Sequence, residues 1–285
     1  MFVFDTLAHR LKRGCETMAY PNGPAPALPD RHGGALRVDA VRCADGCNAC
    51  VPVCPTEAIT RTAGAPVALD LGRCIFCAEC VAVCPTRAIT QTGDHRMAVR
   101  RREDLLLGNP GAEEVRLGAA LDEKLRSLFG RSLRLRQVSA GGCAACEADT
   151  NVLGTIGWDL GRFGIQFVAS PRHADGLLIT GPVTKNMELA LKKTWDAVPE
   201  PKIVIAVGAC AIAGGPFVGH AEHLGGAASV VPVDLYIPGC PPHPLTILDG
   251  LLRLLGRLEE KNDAGTGYEP EPSADLIALP SSVAR

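Results

Sequence analysis

Twelve of the thirteen cysteines in this 285-residue chain fall into groups whose spacing suits metal ligation. The densest group is a repeat. CNACVPVCPTEAIT at 47–60 returns as CAECVAVCPTRAIT at 77–90, thirty residues on, with ten of fourteen positions identical. The second copy reads Cys74-x2-Cys77-x2-Cys80-x3-Cys84-Pro85. In that run three thiolates on a tight loop hold one [4Fe–4S] cube, and the fourth, carried past a helical turn, reaches a second cube. The first copy reads Cys43-x3-Cys47-x2-Cys50-x3-Cys54-Pro55, with one extra residue between its first two cysteines. Gly46 lies in that longer loop and can absorb the extra residue at positive φ. The spacing therefore predicts one cluster on Cys43, Cys47, Cys50 and Cys84, and a second on Cys54, Cys74, Cys77 and Cys80. Zinc competes for Cys-x2-Cys hooks, but a near-perfect repeat with crossed Cys-x3-Cys-Pro ends suits iron–sulfur better. Ala58-Ile59 and Ala88-Ile89 are expected to form an apolar cover that keeps water off the cubes.

A third group is scattered. Cys143 and Cys146 lie in SAGGCAACEADTN, Cys210 in VGACAIAGG and Cys240 in YIPGCPPHP, each just after a strand-like run. In a parallel sheet the carboxyl ends of all strands share one edge, and the loops leaving it build the ligand site. Three loops can thus deliver four thiolates to one point. Gly141, Gly142, Gly208, Gly214, Gly215 and Gly239 would let backbone approach a bulky group there. Four thiolates suit either zinc or a [4Fe–4S] cluster, and the two-cluster repeat beside them favours a third cube. Cys15 lies apart from all three sets and is expected to be a free or buried thiol. Glu147, directly after Cys146, either relays protons near a metal site or serves a helix N-terminus. His243 is either a hydrogen-bond donor to a cluster sulfur or a polar neighbour, and Asp234 is expected to make a structural hydrogen bond.

The elements that must position these thiolates follow from the hydrophobic pattern. Beyond residue 132, LRLRQV (133–138), IQFVAS (165–170), GLLIT (176–180), KIVIAVG (202–208) and VVPVDLYI (230–237) read as strands. Helical patterns lie near 149–161, 184–196 and 243–260. Strands alternating with helices predict a flavodoxin-like α/β domain with a parallel sheet, here over 132–261. Residues 1–99 are expected to form a bacterial-type two-cluster ferredoxin domain. Residues 100–131 read as a linker: Arg100, Arg101 and Arg102 in a solvated turn, a break at GNPG, then an amphipathic helix with Leu117, Leu121, Leu125 and Leu128 on its apolar face. Phe4, Leu7 and Leu11 predict a short N-terminal helix, packed on its own domain or docked on a partner subunit. The Pro- and Gly-rich AYPNGPAPALPDRHGG after it should run extended. The tail, 262–285, is expected to be flexible.

Composition excludes several classes. A net charge of −2 without a basic stripe argues against nucleic acid. No stretch approaches the ~20 apolar residues of a membrane span. MFVFDTLAHRLKRG carries Asp5, His9, Arg10, Lys12 and Arg13 and lacks the apolar run of a signal peptide. The expectation is a reduced, cytoplasmic protein whose cysteines bind metal. No P-loop, HExxH, GxSxG or nicotinamide fingerprint is present.

Residues 132–256 resemble the small subunit of membrane-bound, group 4 [NiFe] hydrogenases, itself similar to the B-type subunit of respiratory complex I, through GGCAACE, GACAIAGG and PVDLYIPGCPPHP. Residues 1–95 resemble the two-cluster ferredoxin subunit of formate hydrogenlyase and hydrogenase-4 complexes, through MFVF, AYP and LGRCIFCAECVAVCPTRAI. The chain thus looks like a fusion of two subunits that are separate in the typical complex. The resemblance implies an iron–sulfur subunit of an oxidoreductase, with three [4Fe–4S] clusters in all. The cluster on Cys143, Cys146, Cys210 and Cys240 would lie nearest a nickel–iron centre held by a partner large subunit. Further implied partners are membrane subunits resembling proton pumps and formate dehydrogenase or another electron donor. The location implied is the cytoplasmic face of the inner membrane, peripheral through those partners. Complex I subunits of this type usually begin the site with adjacent cysteines; the two residues between Cys143 and Cys146 favour hydrogen over quinone chemistry. The alternatives are a complex I-like module that passes electrons to quinone, and a zinc-stapled assembly protein.

Overall fold

The thirty-residue period survives folding as a matched pair of backbone conformations. Glu57 and Arg87, equivalent in the two copies, both sit at φ 52°. Residues 2–258, except 30, 63, 109–111, 113 and 131, are described by a computed structural model of the chain. Helix α1 (Phe2–Arg13) comes first. The cysteine-rich half follows, with β1 (Leu36–Val38), β2 (Ile59–Arg61), β3 (Val67–Asp70), the one-turn α2 (Glu79–Ala82), β4 (Ile89–Gln91) and β5 (Leu106–Leu107). The strands flanking the repeat close on one another: β1 runs antiparallel to β4, pairing Val38 with Ile89. The strands between its copies do the same, β2 pairing Ile59 with Leu69 of β3, and β5 extends that sheet.

After α3 (Glu123–Phe129) come β6 (Leu133–Ser139), α4 (Ala145–Val152), β7 (Ile165–Phe167), β8 (Gly176–Thr180), α5 (Lys185–Ala197), β9 (Ile203–Val207), α6 (Ala209–Ala213), β10 (Leu235–Ile237) and α7 (Pro244–Leu254). The five strands lie side by side in the order β7-β6-β8-β9-β10, every pair parallel. Counted within this half, that is the 2-1-3-4-5 order of a flavodoxin-like sheet, as expected. The order reverses between β6 and β8, so ligands belong outside the carboxyl ends of those strands. Every residue of β8, β9 and β10 is buried, as strands covered on both faces must be.

Several elements differ from their sequence reading. The helix expected over 112–130 spans only Glu123–Phe129, capped by Asp122, whose carboxylate accepts from Leu125 N at 3.0 Å. Upstream of it, Gly118 N donates to Ala98 O and Leu121 N to Leu254 O, so those backbone groups bond across the molecule. The helix read near 149–161 is α4, displaced four residues toward the cysteines. Of the strand read at 230–237 only the last three residues pair. The arginine trio is not a solvated turn: Arg102 pairs with Asp70 at 2.6 Å and Arg100 donates to Ala120 O. Helix α1 does not pack on its own domain; Val3, Phe4, Leu7 and Leu11 are all exposed. Residues 109–111 of the expected break and the expected tail lie outside the described residues.

The two halves share one interior. Leu36, Ile59 and Leu69 belong to the same buried cluster as Val138, Ile179 and Tyr236. The segment after β4 bonds to the sheet of the other half: Val99 N donates to Tyr236 O and Tyr236 N to Val99 O.

Candidate metal centres

The cysteines lie near one another in groups. Cys50 feels Cys84, Cys43 and Cys47 as electrostatic neighbours. Cys74 feels Cys80, Cys54 and Cys77. Cys146 feels Cys210, Cys240 and Cys143. Cys80 also senses Cys50, so the two quartets of the repeat adjoin. Cys54 and Cys84 thus cross over, each joining the three cysteines of the other copy.

The repeat makes its hooks the same way twice. Ala58 N donates to Cys54 Sγ and Ala88 N to Cys84 Sγ, both at 3.2 Å. Thr56 and Thr86 hydroxyls stand beside the same two sulfurs. These donors sit where sulfur ligands of a cluster take the hydrogen bonds that set its potential. Ala58, Ile59, Ala88 and Ile89 are buried, as the expected cover requires. In the first copy Gly46 sits at φ 73°, which is how the longer loop turns. Sequence reading missed Arg61. Its guanidinium reaches that loop, donating to Ala44 O at 3.0 Å and to Cys47 O, with Nη1 3.7 Å from Cys43 Sγ. The available signal was the first position after the matched stretch, where the second copy has Gln91.

The third group lies beyond the carboxyl ends of β6, β9 and β10. Cys143 and Cys146 follow β6, Cys210 opens α6 after β9, and Cys240 follows β10. Ala144 at φ 68° repeats the left-handed step of Ala78 at φ 65°, so both Cys-x-x-Cys hooks turn alike into a helix. Two glycines hold space for the sulfurs. A Cβ on Gly208 would lie 2.5 Å from Cys146 Sγ, and one on Gly215 would lie 2.9 Å from Cys210 Sγ.

Burial dominates the titration of these thiols. Burial pushes Cys74 up to about 12 and Cys80 up to about 11. Burial first, then the neighbouring thiolates, push Cys146 and Cys210 up to about 12. Burial also raises Cys84, but the N–H groups of Ile89 and Ala88 and the Thr86 hydroxyl outweigh it and hold that thiol low. Buried thiolates that repel one another are stabilised when a cationic centre replaces their protons. Four soft sulfur donors per set fit zinc or an iron–sulfur cube. Among the described residues no three Cys, His, Asp or Glu side chains close to the spacing of a single-ion site.

The neighbours expected from sequence take definite places. Glu147 lies in the first turn of α4; Thr180 Oγ1 donates to its Oε1 at 2.6 Å, and its Oε2 is buried without a partner. Burial raises this carboxyl, but the hydroxyls of Ser139 and Thr180 outweigh that and hold it below the usual range. His243 caps α7, its Nδ1 accepting from Leu245 N at 3.1 Å, and its ring meets those of His32 and Trp158 edge-on. Asp234 accepts from Val204 N at 2.8 Å, the structural bond expected of it. Cys15 is exposed and belongs to no quartet.

Known proteins are similar to this chain. The family described as NADH ubiquinone oxidoreductase, 20 Kd subunit, matches residues 143–254, and a 4Fe-4S dicluster domain matches residues 42–89. Formate hydrogenlyase subunit 7 of Escherichia coli (strain K12) is 40% identical over 180 residues, covering 60% of this chain and 71% of that protein. The B-type subunit of NADH-quinone oxidoreductase from Clostridium beijerinckii is 43% identical over 125 residues, 44% of this chain and 74% of that one. The B-type subunit of F(420)H(2) dehydrogenase from Methanosarcina mazei is 43% identical over 127 residues, 45% of this chain and 68% of that protein.

Proposed function

Because the chain belongs to the family of the 20 Kd subunit of NADH ubiquinone oxidoreductase and carries a 4Fe-4S dicluster domain, we propose that it is the electron relay of a [NiFe] hydrogenase complex of the formate hydrogenlyase type. It would hold three [4Fe–4S] clusters. Cys43, Cys47, Cys50 and Cys84 take the first, Cys54, Cys74, Cys77 and Cys80 the second, and Cys143, Cys146, Cys210 and Cys240 the third. A bound cube supplies one-electron transfer. The chain's own residues hold each group by four thiolates, exclude water with Ala58, Ile59, Ala88 and Ile89, and polarise Cys54 and Cys84 with backbone N–H groups. Glu147, with one carboxylate oxygen buried and unpartnered beside Cys146, is the candidate stop for a proton. The nickel–iron centre belongs to a partner large subunit, since Cys15 alone remains outside the three quartets. Electrons would come from formate oxidation or another donor. Membrane subunits would anchor the assembly; no helix among the described residues is long and apolar enough to cross a membrane.

The observation that carries this reading is the convergence of four cysteines from three loops at the carboxyl ends of parallel strands β6, β9 and β10. Anaerobically purified chain should contain about twelve irons and as many labile sulfides, four of each per cluster. Zinc without sulfide would refute it. The similarity to a quinone oxidoreductase subunit supports a second reading, delivery of electrons to quinone. Nickel in the copurified complex decides for hydrogen, and its absence with quinone reduction decides for the second.

A further inference from the structure

The two clusters proposed for the repeat occupy nearly identical hooks, and nearly identical hooks give nearly equal potentials. The copies differ in charge at Glu57 against Arg87 and at Ala49 against Glu79, and just past the matched stretch a cation reaches a ligand loop. Arg61, at the end of β2, extends its guanidinium into the exposed loop Ala44–Gly46 between Cys43 and Cys47. It donates to two carbonyls of that loop, those of Ala44 and Cys47, and Nη1 stands 3.7 Å from Cys43 Sγ. Its equivalent in the second copy is Gln91 at the end of β4, a neutral side chain that lies over Gly33 instead: a Cβ on Gly33 would fall 1.8 Å from Gln91 Nε2. Asp45 sits in the same loop, yet Arg61 forms no ion pair with it or with any other carboxylate among the described residues.

A guanidinium is always charged and presents a rigid fork of donors. Placed against the ligands of a cluster, a fixed cation stabilises whichever oxidation state carries more negative charge. Reduction adds one electron to a group already held by four thiolates, so the cation favours the reduced state. Net charge, hydrogen bonding and exposure are the terms by which a protein sets these potentials. On the Cys43–Cys47 side a fixed charge and its hydrogen bonds act together, since the same guanidinium supplies both.

Resting on the cluster assignment above, we propose that Arg61 is a positioning residue that pins the enlarged loop and makes the cluster on Cys43, Cys47, Cys50 and Cys84 the more easily reduced of the pair. An electron entering this half of the molecule then settles on that cluster first. The extra residue between Cys43 and Cys47 is what opens the loop carbonyls to the guanidinium.

The test is an anaerobic redox titration of the full chain, followed by electron paramagnetic resonance, for wild type, Arg61→Gln and Arg61→Lys, each with its iron and sulfide content measured. In R61Q, at full iron, the reduced-to-oxidised ratio of the first cluster at fixed potential should fall about tenfold, ~59 mV for a one-electron couple. R61K, which keeps the charge, should stay much closer to wild type. An R61Q chain with full iron and an unmoved titration overturns the proposal. If R61Q sheds a cluster, R61K decides: full iron with the wild-type titration supports the charge, and full iron with an about tenfold fall in the ratio overturns it. Wild-type chain that lacks iron and sulfide would sink the cluster assignment itself, a result distinct from any of these.

Discussion

At the scale of single residues, the sulfur sites depend on what is missing around them as much as on the cysteines. Gly208 sits at φ 92° with room for no side chain, because a Cβ there would press to 2.5 Å of Cys146 Sγ. Gly208→Ala should therefore lose the third cluster and keep the two of the repeat, leaving about two thirds of the wild-type iron and sulfide. Full iron in that variant would show that the third site does not depend on this cradle. The histidines give a second, pH-dependent expectation. His32, His95 and His243 all have folded pKa values below their ordinary value, by burial first, and for His243 the value falls to about 4. Asp94 pulls His32 and His95 back up, Asp249 does the same for His95, and Arg96 opposes them at His95. A base with a depressed folded pKa binds fewer protons when folded than when unfolded. Stability is therefore intact above about pH 6.5, the unfolded value, and is lost as pH falls toward the folded value. His243→Asn keeps a side chain that can cap α7 and removes one of the three titrations. Its thermal midpoint should fall less than that of wild type between about pH 7 and about pH 5; equal losses would remove His243 from the account.

At the scale of elements, legibility followed how local each cause was. Strand β8 was read to its ends because an unbroken apolar run has one use in a covered parallel sheet. The crossed cysteine groups are read from local ligand spacing, whereas Arg61 has no local signal, its contacts lying fourteen to eighteen residues back along the chain. Helix α6 is five residues long, too short to show a period, and α4 begins early because the Cys143–Cys146 hook itself starts it. The clearest failure is the helix expected over 112–130. Leu117, Leu121, Leu125 and Leu128 have helical spacing, but Leu121 is buried through a bridge to Leu254 and Leu128 faces out. Backbone bonds to the other elements satisfied the upstream N–H groups better than a helix did. The surviving α3 then needs its own start signal. Asp122→Ala should cost about 1 kcal/mol in denaturant unfolding. No change would mean that α3 is held by packing alone.

At the scale of the whole molecule, the ferredoxin half is fastened at both of its ends. Before it, Met18 N donates to Gly157 O, and Arg162 donates to the carbonyls of Met18 and Tyr20 at 2.6 and 2.7 Å. After it, Val99 and Tyr236 exchange backbone bonds. The proposed relay through three clusters needs fixed separations between them, and two anchors supply what a single flexible linker would not. The first anchor ends in a buried charge network. The Tyr20 hydroxyl donates to Asp249 Oδ1 at 3.0 Å, and Arg253 Nε donates to Oδ2 at 2.8 Å, with Asp249 fully buried in α7. Burial and then Asp249 push the Tyr20 hydroxyl well above the ordinary tyrosine range, so it stays a donor at every physiological pH. Tyr20→Phe removes one hydrogen bond to a charged group and should cost about 1.5–3 kcal/mol. Asp249→Asn removes the buried carboxylate charge that Tyr20 and Arg253 both engage and should cost more than Tyr20→Phe, about 3–5 kcal/mol. Since the two residues touch, the double variant should fall short of the sum. Because both halves contribute to one buried core, each variant should unfold in a single transition followed identically by cluster absorbance and far-ultraviolet circular dichroism. Separate transitions, with the cluster signal lost first in Tyr20→Phe, would show instead that the ferredoxin half folds as an independent bead and that the anchors do not set the distances along the relay.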